Sequence, residues 1–154
     1  MDWYRQEFGI PQTASTQQTL HLLASEQLII AQDAGNYAIT NLDALLFARD
    51  FNDFPTVARK ALRVIRYDGP SPISPSRSKT FFSGYAKLDQ ALEYVEALLP
   101  EQEVIQGARR VTLRMFPHMA LRELMANMLI HQDFSITGTG PMICIFDGRI
   151  EFTN

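Results

Sequence analysis

Over residues 121–134 apolar side chains recur so densely that a helix made of them is apolar around most of its circumference, with Glu123 and Asn127 as its two internal polar groups. Leu121, Leu124, Met125, Met128 and Leu129 fall in one stripe and are expected in the core. Glu123 and Asn127 lie roughly opposite, one turn apart, among Met119, Ala120, Ala126 and Ile130 where a solvated face would carry Lys and Glu. A second helix is written over residues 85–99, because Tyr85, Leu88, Leu92, Val95 and Leu99 step by three and four while Gln90, Glu93 and Glu96 fall outside the stripe. Ser15 or Thr16 suits the N-cap of a helix over 17–25, in which Leu20, Leu23 and Ala24 recur beside Leu28. Short apolar runs at 28–30 and 37–39 flank Asp33-Ala34-Gly35-Asn36, residues suited to a tight turn, so a hairpin is expected. Asn41 is expected to cap a helix over 42–49, and Pro55 to open a helical turn over 56–60.

From residue 62 the period changes to two: Leu62, Val64 and Arg66 alternate with Arg63, Ile65 and Tyr67 and predict a strand over 62–67, though neither face is cleanly polar or apolar. Residues 68–79 hold three prolines, one glycine and four serines without periodicity, the pattern of a surface loop or lobe junction. Val111, Leu113 and Met115 alternate with Thr112, Arg114 and Phe116, a pattern that suits an extended segment before Pro117 and leaves a helix through Arg110 as the alternative. Asp147-Gly148 between two alternating runs predicts a closing hairpin over 142–153. The fold class is therefore α+β: a small helical lobe with a wing-like hairpin over 1–69, then a sheet-and-helix layer over 70–154.

At 154 residues, 46% hydrophobic and 20% charged, the chain has enough apolar surface for a real core. A net charge of −3 supplies no global field for nucleic acid, so DNA contact must come from local clusters. Arg59, Lys60, Arg63 and Arg66 form one; Arg109, Arg110 and Arg114 form another. The single cysteine, Cys144, lies in an apolar run and reads as a buried thiol in a reducing compartment. No run approaches membrane-spanning length, and the opening Met1-Asp2-Trp3-Tyr4-Arg5 has no signal-peptide form, so a soluble cytoplasmic protein without membrane contact is expected.

The chemistry the residues permit is narrow. The glycines at 138 and 140 are not followed by Lys-Ser/Thr and precede a strand, so they make no Walker motif and read as a loop. His118 and His131 are thirteen apart without a cysteine partner and match no zinc spacing. No nucleophile elbow is present. What remains is Glu123 with Asn127: a carboxylate and an amide at i and i+4 can hold a hydrated hard cation or position a water. The same spacing equally suits two polar groups that cap a neighbouring loop.

Four stretches carry a family resemblance: Tyr37-Ala38-Ile39-Thr40-Asn41-Leu42-Asp43-Ala44-Leu45-Leu46-Phe47-Ala48, Arg63-Val64-Ile65-Arg66-Tyr67-Asp68-Gly69, residues 122–134 with Glu123, Asn127 and His131-Gln132-Asp133-Phe134, and Arg149-Ile150-Glu151-Phe152-Thr153-Asn154. Together they resemble bacterial transcriptional regulators, also labelled ATP-binding proteins or RecG-related ATP-dependent DNA helicases, in which a Schlafen/AlbA-type DNA-binding domain precedes a divergent ATPase-like domain. The resemblance covers about residues 20–154 and implies that the chain is an internal piece of a longer protein, with the remainder of that protein and DNA as partners, the latter mainly through the N-terminal domain. It further implies a GHKL-type fold in which Glu123 is the catalytic base and Asn127 the Mg²⁺ ligand. Where many GHKL proteins carry an acidic residue three after the asparagine, this chain has Ile130, and His131 next to it is the remaining cofactor-binding candidate. The adenine-binding glycine box would fall at Thr153-Asn154, without its glycines, and the ATP lid lies beyond. ATP and Mg²⁺ are thus implied for a full-length parent, itself an ATPase candidate, and neither cofactor nor activity for the fragment alone. The helicase label finds no Walker A or Asp-Glu-x-His box to support it. The competing expectation is a non-catalytic structural or DNA-contacting module, with DNA met by Arg59, Lys60, Arg63 and Arg66.

Overall fold

The computed structural model describes residues 5, 9–11, 13–106, 109–136 and 138–154. It is a mixed α+β chain of two compact units, Met1–Ala44 and Leu45–Asn154. Among the described residues no helix is long and apolar enough to cross a membrane.

In the first unit, helix α1 (Thr16–Ser25) begins with a reciprocal cap: Gln18 N donates to Ser15 Oγ at 3.1 Å, and Ser15 N donates to Gln18 Oε1 at 2.8 Å. Two donors that a helix start leaves unpaired are satisfied in this way. The chain leaves α1 through Gln27, whose φ of 58° is left-handed without a glycine. Strands β1 (Ile29–Ala31) and β2 (Tyr37–Ile39) then pair antiparallel, Ile29 opposite Ile39 and Ala31 opposite Tyr37. Their 3₁₀ turn, Asp33–Gly35, puts positive φ on Ala34 and Gly35. Helix α2 (Asn41–Phe47) is capped one residue earlier than expected: Thr40 Oγ1 accepts from Asp43 N at 3.2 Å and donates to Leu28 O at 2.8 Å. Thr40 thereby fastens the helix start to the hairpin.

The second unit is built on a four-stranded sheet of order β4-β3-β7-β8. Strand β3 (Leu62–Tyr67) runs antiparallel to β4 (Pro75–Phe81) and parallel to β7 (Met142–Ile145), which turns through Asp147-Gly148 into antiparallel β8 (Ile150–Thr153). The closing hairpin therefore joins the sheet as expected. The Pro/Ser-rich stretch does not stay a loop: residues 68–74 connect two strands of one sheet, and residues 75–81 form its edge. Pro75 is compatible with that assignment because it opens the strand, and an edge strand needs ladder bonds on one side only.

Helices α3 (Leu88–Leu98) and α4 (His118–Ile130) pack against this sheet. Leu92, Val95, Leu121, Met125, Met128 and Leu129 meet Leu62, Val64, Ile143 and Ile145 in one core cluster. Between the helices, β5 (Glu101–Gln106) and β6 (Arg109–Arg114) form a separate two-stranded sheet. The extended segment expected before Pro117 is β6.

Candidate functional site

The polar pair picked from the sequence stands on the side of α4 away from the core. Leu121, Met125, Met128 and Leu129 are buried, whereas Glu123, Asn127 and His131 are exposed. These three follow one another at four-residue intervals, so they form a row about 6 Å apart along the helix axis. Leu124, expected in the core stripe, is instead 47% exposed and flanks the row with Met119 at 68% and Ile130 at 69%. A helix apolar on every side cannot say from period alone which face is inward, and here the sheet takes the face centred on Met125. Neither the Glu123 carboxylate nor the Asn127 side-chain amide has a hydrogen-bond or ion-pair partner among the described residues. Arg149, a cation that could otherwise pair with Glu123, is held by Glu151 at 2.6 Å, by Pro70 O at 2.6 Å and by the Phe146 ring.

The C-terminal end of α4 is held by groups the sequence did not single out. Asn154 Nδ2 donates to Met128 O at 3.2 Å and to His131 O at 2.9 Å, so the end of β8 caps carbonyls that the helix leaves free. Gln132, 8% exposed, donates through Nε2 to Leu129 O and to Tyr85 Oη, both at 2.9 Å. Tyr85 in turn donates to Lys60 O at 2.6 Å, and burial pushes its phenol up to about 12. Beyond the helix, Asp133 Oδ1 accepts from Ser135 N and Oγ, bonds that hold its carboxyl below the usual range. Gly140 passes so close to the next segment that a Cβ there would lie 2.2 Å from Arg59 O. The glycine of the loop thus serves backbone approach, as a plain loop requires.

Lys60 belongs to this junction. It is 7% exposed, and its Nζ donates to Ile136 O at 3.0 Å and Asp133 O at 3.2 Å. As a buried donor it cannot simultaneously meet a phosphate from solvent. Of the other cations grouped with it, Arg59 and Arg63 are exposed, while Arg66 is bound by Asp147 at 2.7 Å and Phe146 O at 2.8 Å. Strand alternation also sends Arg63 and Arg66 to opposite faces of the sheet. The four therefore do not make a single cationic surface.

The thiol of Cys144 is buried, and burial raises its titration point, helped by Glu151 and opposed by Arg63. That environment disfavours thiolate, in keeping with a structural cysteine. Among the described residues no group of three or more His, Cys, Asp or Glu could hold a metal ion, and His118 is taken by Glu96 at 2.9 Å. Glu123 and Asn127 supply two oxygen donors. That donor set fits a Mg²⁺ delivered on a polyphosphate with its own oxygens and waters, not one held by protein alone.

Comparison with protein-family models, with curated proteins and with solved structures gives no match for this chain.

Proposed function

We propose that Leu45–Asn154 is the nucleotide-site half of a degenerate, GHKL-like ATPase module from a RecG-related, Schlafen/AlbA-type transcriptional regulator. One observation carries the reading. A helix whose inner face is committed to the core presents Glu123 and Asn127, unpaired and one turn apart, on an outer face ringed by Met119, Leu124 and Ile130. Carboxylates and amides on a purely solvated face are ordinary; set among exposed apolar groups, they suit a surface that a ligand and further protein cover.

In that arrangement Glu123 orients the attacking water and accepts its proton. Asn127 offers an amide oxygen to a hard cation at no cost in charge. A bound Mg²⁺ would supply charge neutralisation on the polyphosphate. His131, one turn on, lies at the end of the row, and Asn154 and Gln132 position the helix terminus that carries it. The sheet with helices on one face supports the likeness to the GHKL layer, and the resemblance of the four sequence stretches supports the family.

The row is one wall of a site and no more, so this chain by itself should hold Mg²⁺-ATP no tighter than about the micromolar range, a level that corresponds to about 8 kcal/mol. Calorimetry at neutral pH tests this, and tighter binding would show that a full adenine pocket exists without the lid and glycine box. Within a longer chain that contains this segment, Glu123→Gln should abolish hydrolysis while sparing nucleotide binding, and Asn127→Ala should weaken the Mg²⁺-dependent part of binding. Retention of hydrolysis in both variants would leave α4 as a packing helix.

A further inference from the structure

The Met1–Ala44 unit has the outline of a DNA-binding wing but the wrong charge for it. Arg5 is its single Lys or Arg, against Asp2, Glu7, Glu26, Asp33 and Asp43, and that one cation is bonded to Thr19 Oγ1 at 3.2 Å. Neither α1 nor the hairpin carries a Lys or Arg to meet phosphate. It exposes apolar side chains instead: Ile30 is 59% and Ile39 54% exposed, and Tyr37 and Leu22 are also open to solvent.

Among the described residues β1 and β2 form a sheet of two strands only, which leaves the outer edge of β1 unpaired. Gln32 N donates to Asn36 O and Thr40 N to Leu28 O, which makes 32/36 and 28/40 the hydrogen-bonded pairs and, by alternation, 30/38 as well. The N–H and C=O groups of Ile29 and Ala31 therefore point away from β2, towards the free edge. All three residues of β1 also line a groove of about 410 Å³, together with Ala24, Gln27 and Thr40. Exposed carboxylates flank β1 along the chain, Glu26 before it and Asp33 after it.

We propose that this edge is a strand-addition site for a protein partner: an extended segment of β-branched or apolar residues with Lys or Arg at both ends. Its main chain pairs with Ile29 and Ala31, its apolar side chains cover Ile30 and the groove, and its terminal cations meet Glu26 and Asp33. The lobe is then a protein-docking wing, and the acidic surface that excludes DNA is what selects the partner.

The test is fluorescence anisotropy on the whole chain, with a labelled peptide of alternating valine and threonine bearing two lysines at each end, a matched peptide with glutamates there, and a labelled DNA duplex. The lysine-ended peptide should bind at least about ten-fold more tightly than the glutamate-ended one. The double variant Glu26→Lys/Asp33→Lys, changed at exposed side chains only, should reverse that order. Ala31→Pro removes an edge N–H without cutting a bond to β2 and should weaken binding about ten-fold while circular dichroism shows the fold retained. Equal binding of both peptides, no reversal in the charge-swapped variant, or preference for the duplex would each overturn the proposal. So would self-association of the chain that the charge swap abolishes, which would assign the edge to a second copy.

Discussion

Removing a single oxygen, in Tyr85→Phe, probes the junction that holds the end of α4. The hydroxyl donates to Lys60 O at 2.6 Å and accepts from Gln132 Nε2 at 2.9 Å. Each such bond contributes about 1 kcal/mol net, and the Lys60 carbonyl is left without this donor in a buried residue, so the variant should lose about 2 kcal/mol at pH 7. The pH dependence is the sharper part. Burial raises the phenol from 10.0 to about 12, so between those values the folded chain binds the proton that the unfolded chain releases. Stability from this group is complete below pH 10 and is lost as pH rises through 12. The full shift corresponds to about 2.7 kcal/mol, and partial solvent contact reduces it to about 2. Roughly half should be gone at pH 11. Urea melts of both proteins at pH 7, 9 and 11 should therefore show a gap of about 2 kcal/mol at the first two pH values and about 1 kcal/mol at the last. Lysines and the other tyrosines titrate in both proteins and cancel in the difference. A gap that stays constant to pH 11 would refute the claim that Tyr85 is a buried, hydrogen-bonded phenol.

Glu123→Gln should change stability by no more than about 0.5 kcal/mol in urea melts, because the carboxylate is exposed and unpaired. A loss above roughly 2 kcal/mol would mean that a buried cation had been stranded, and the site reading would be given up. Gly140→Ala should cost about 3 kcal/mol, since the added Cβ would stand 2.2 Å from the Arg59 carbonyl and backbone must move; a melt unchanged from wild type contradicts this. Arg66→Ala should cost about 1–2 kcal/mol through its bonds to Phe146 O and Asp147, and Arg63→Ala almost nothing, as exposed substitutions do. Equal melts for the two arginine variants would remove the distinction drawn between them.

Local chemistry was legible in the sequence and long-range contact was not. Ser15 and Gln18 cap α1 within three residues, and Asp147-Gly148 turns β7 into β8, so both could be found by reading along the chain. β3 was legible from its period of two. β4 was hidden because an edge strand needs little apolar surface, and its residues, Pro75-Ser76-Arg77-Ser78-Lys79, have the composition of a loop. Leu124 was misplaced because α4 is apolar all round, so only the tertiary fold chooses its inner face. The contacts of Tyr85, Gln132 and Lys60 span 25, 47 and 73 residues, and no spacing rule reaches across them. Lys60 shows the consequence: beside Arg59 and Arg63 it reads as part of a phosphate-binding cluster, yet its ammonium fastens a loop from inside. Glu123 and Asn127 were legible as a pair because i and i+4 on a helix is itself a local relation.

The central claim is that the outer face of α4 receives a metal-bound polyphosphate. Paramagnetic line broadening tests it most directly on this chain: Mn²⁺-ATP, added at millimolar concentration to follow weak binding, should selectively broaden the side-chain amide of Asn127 and the backbone amides from Glu123 to His131. The backbone amides from Glu123 to His131 should stay sharp in Asn127→Ala. Broadening that is uniform over the exposed carboxylates, or that persists around α4 in the variant, would contradict the account.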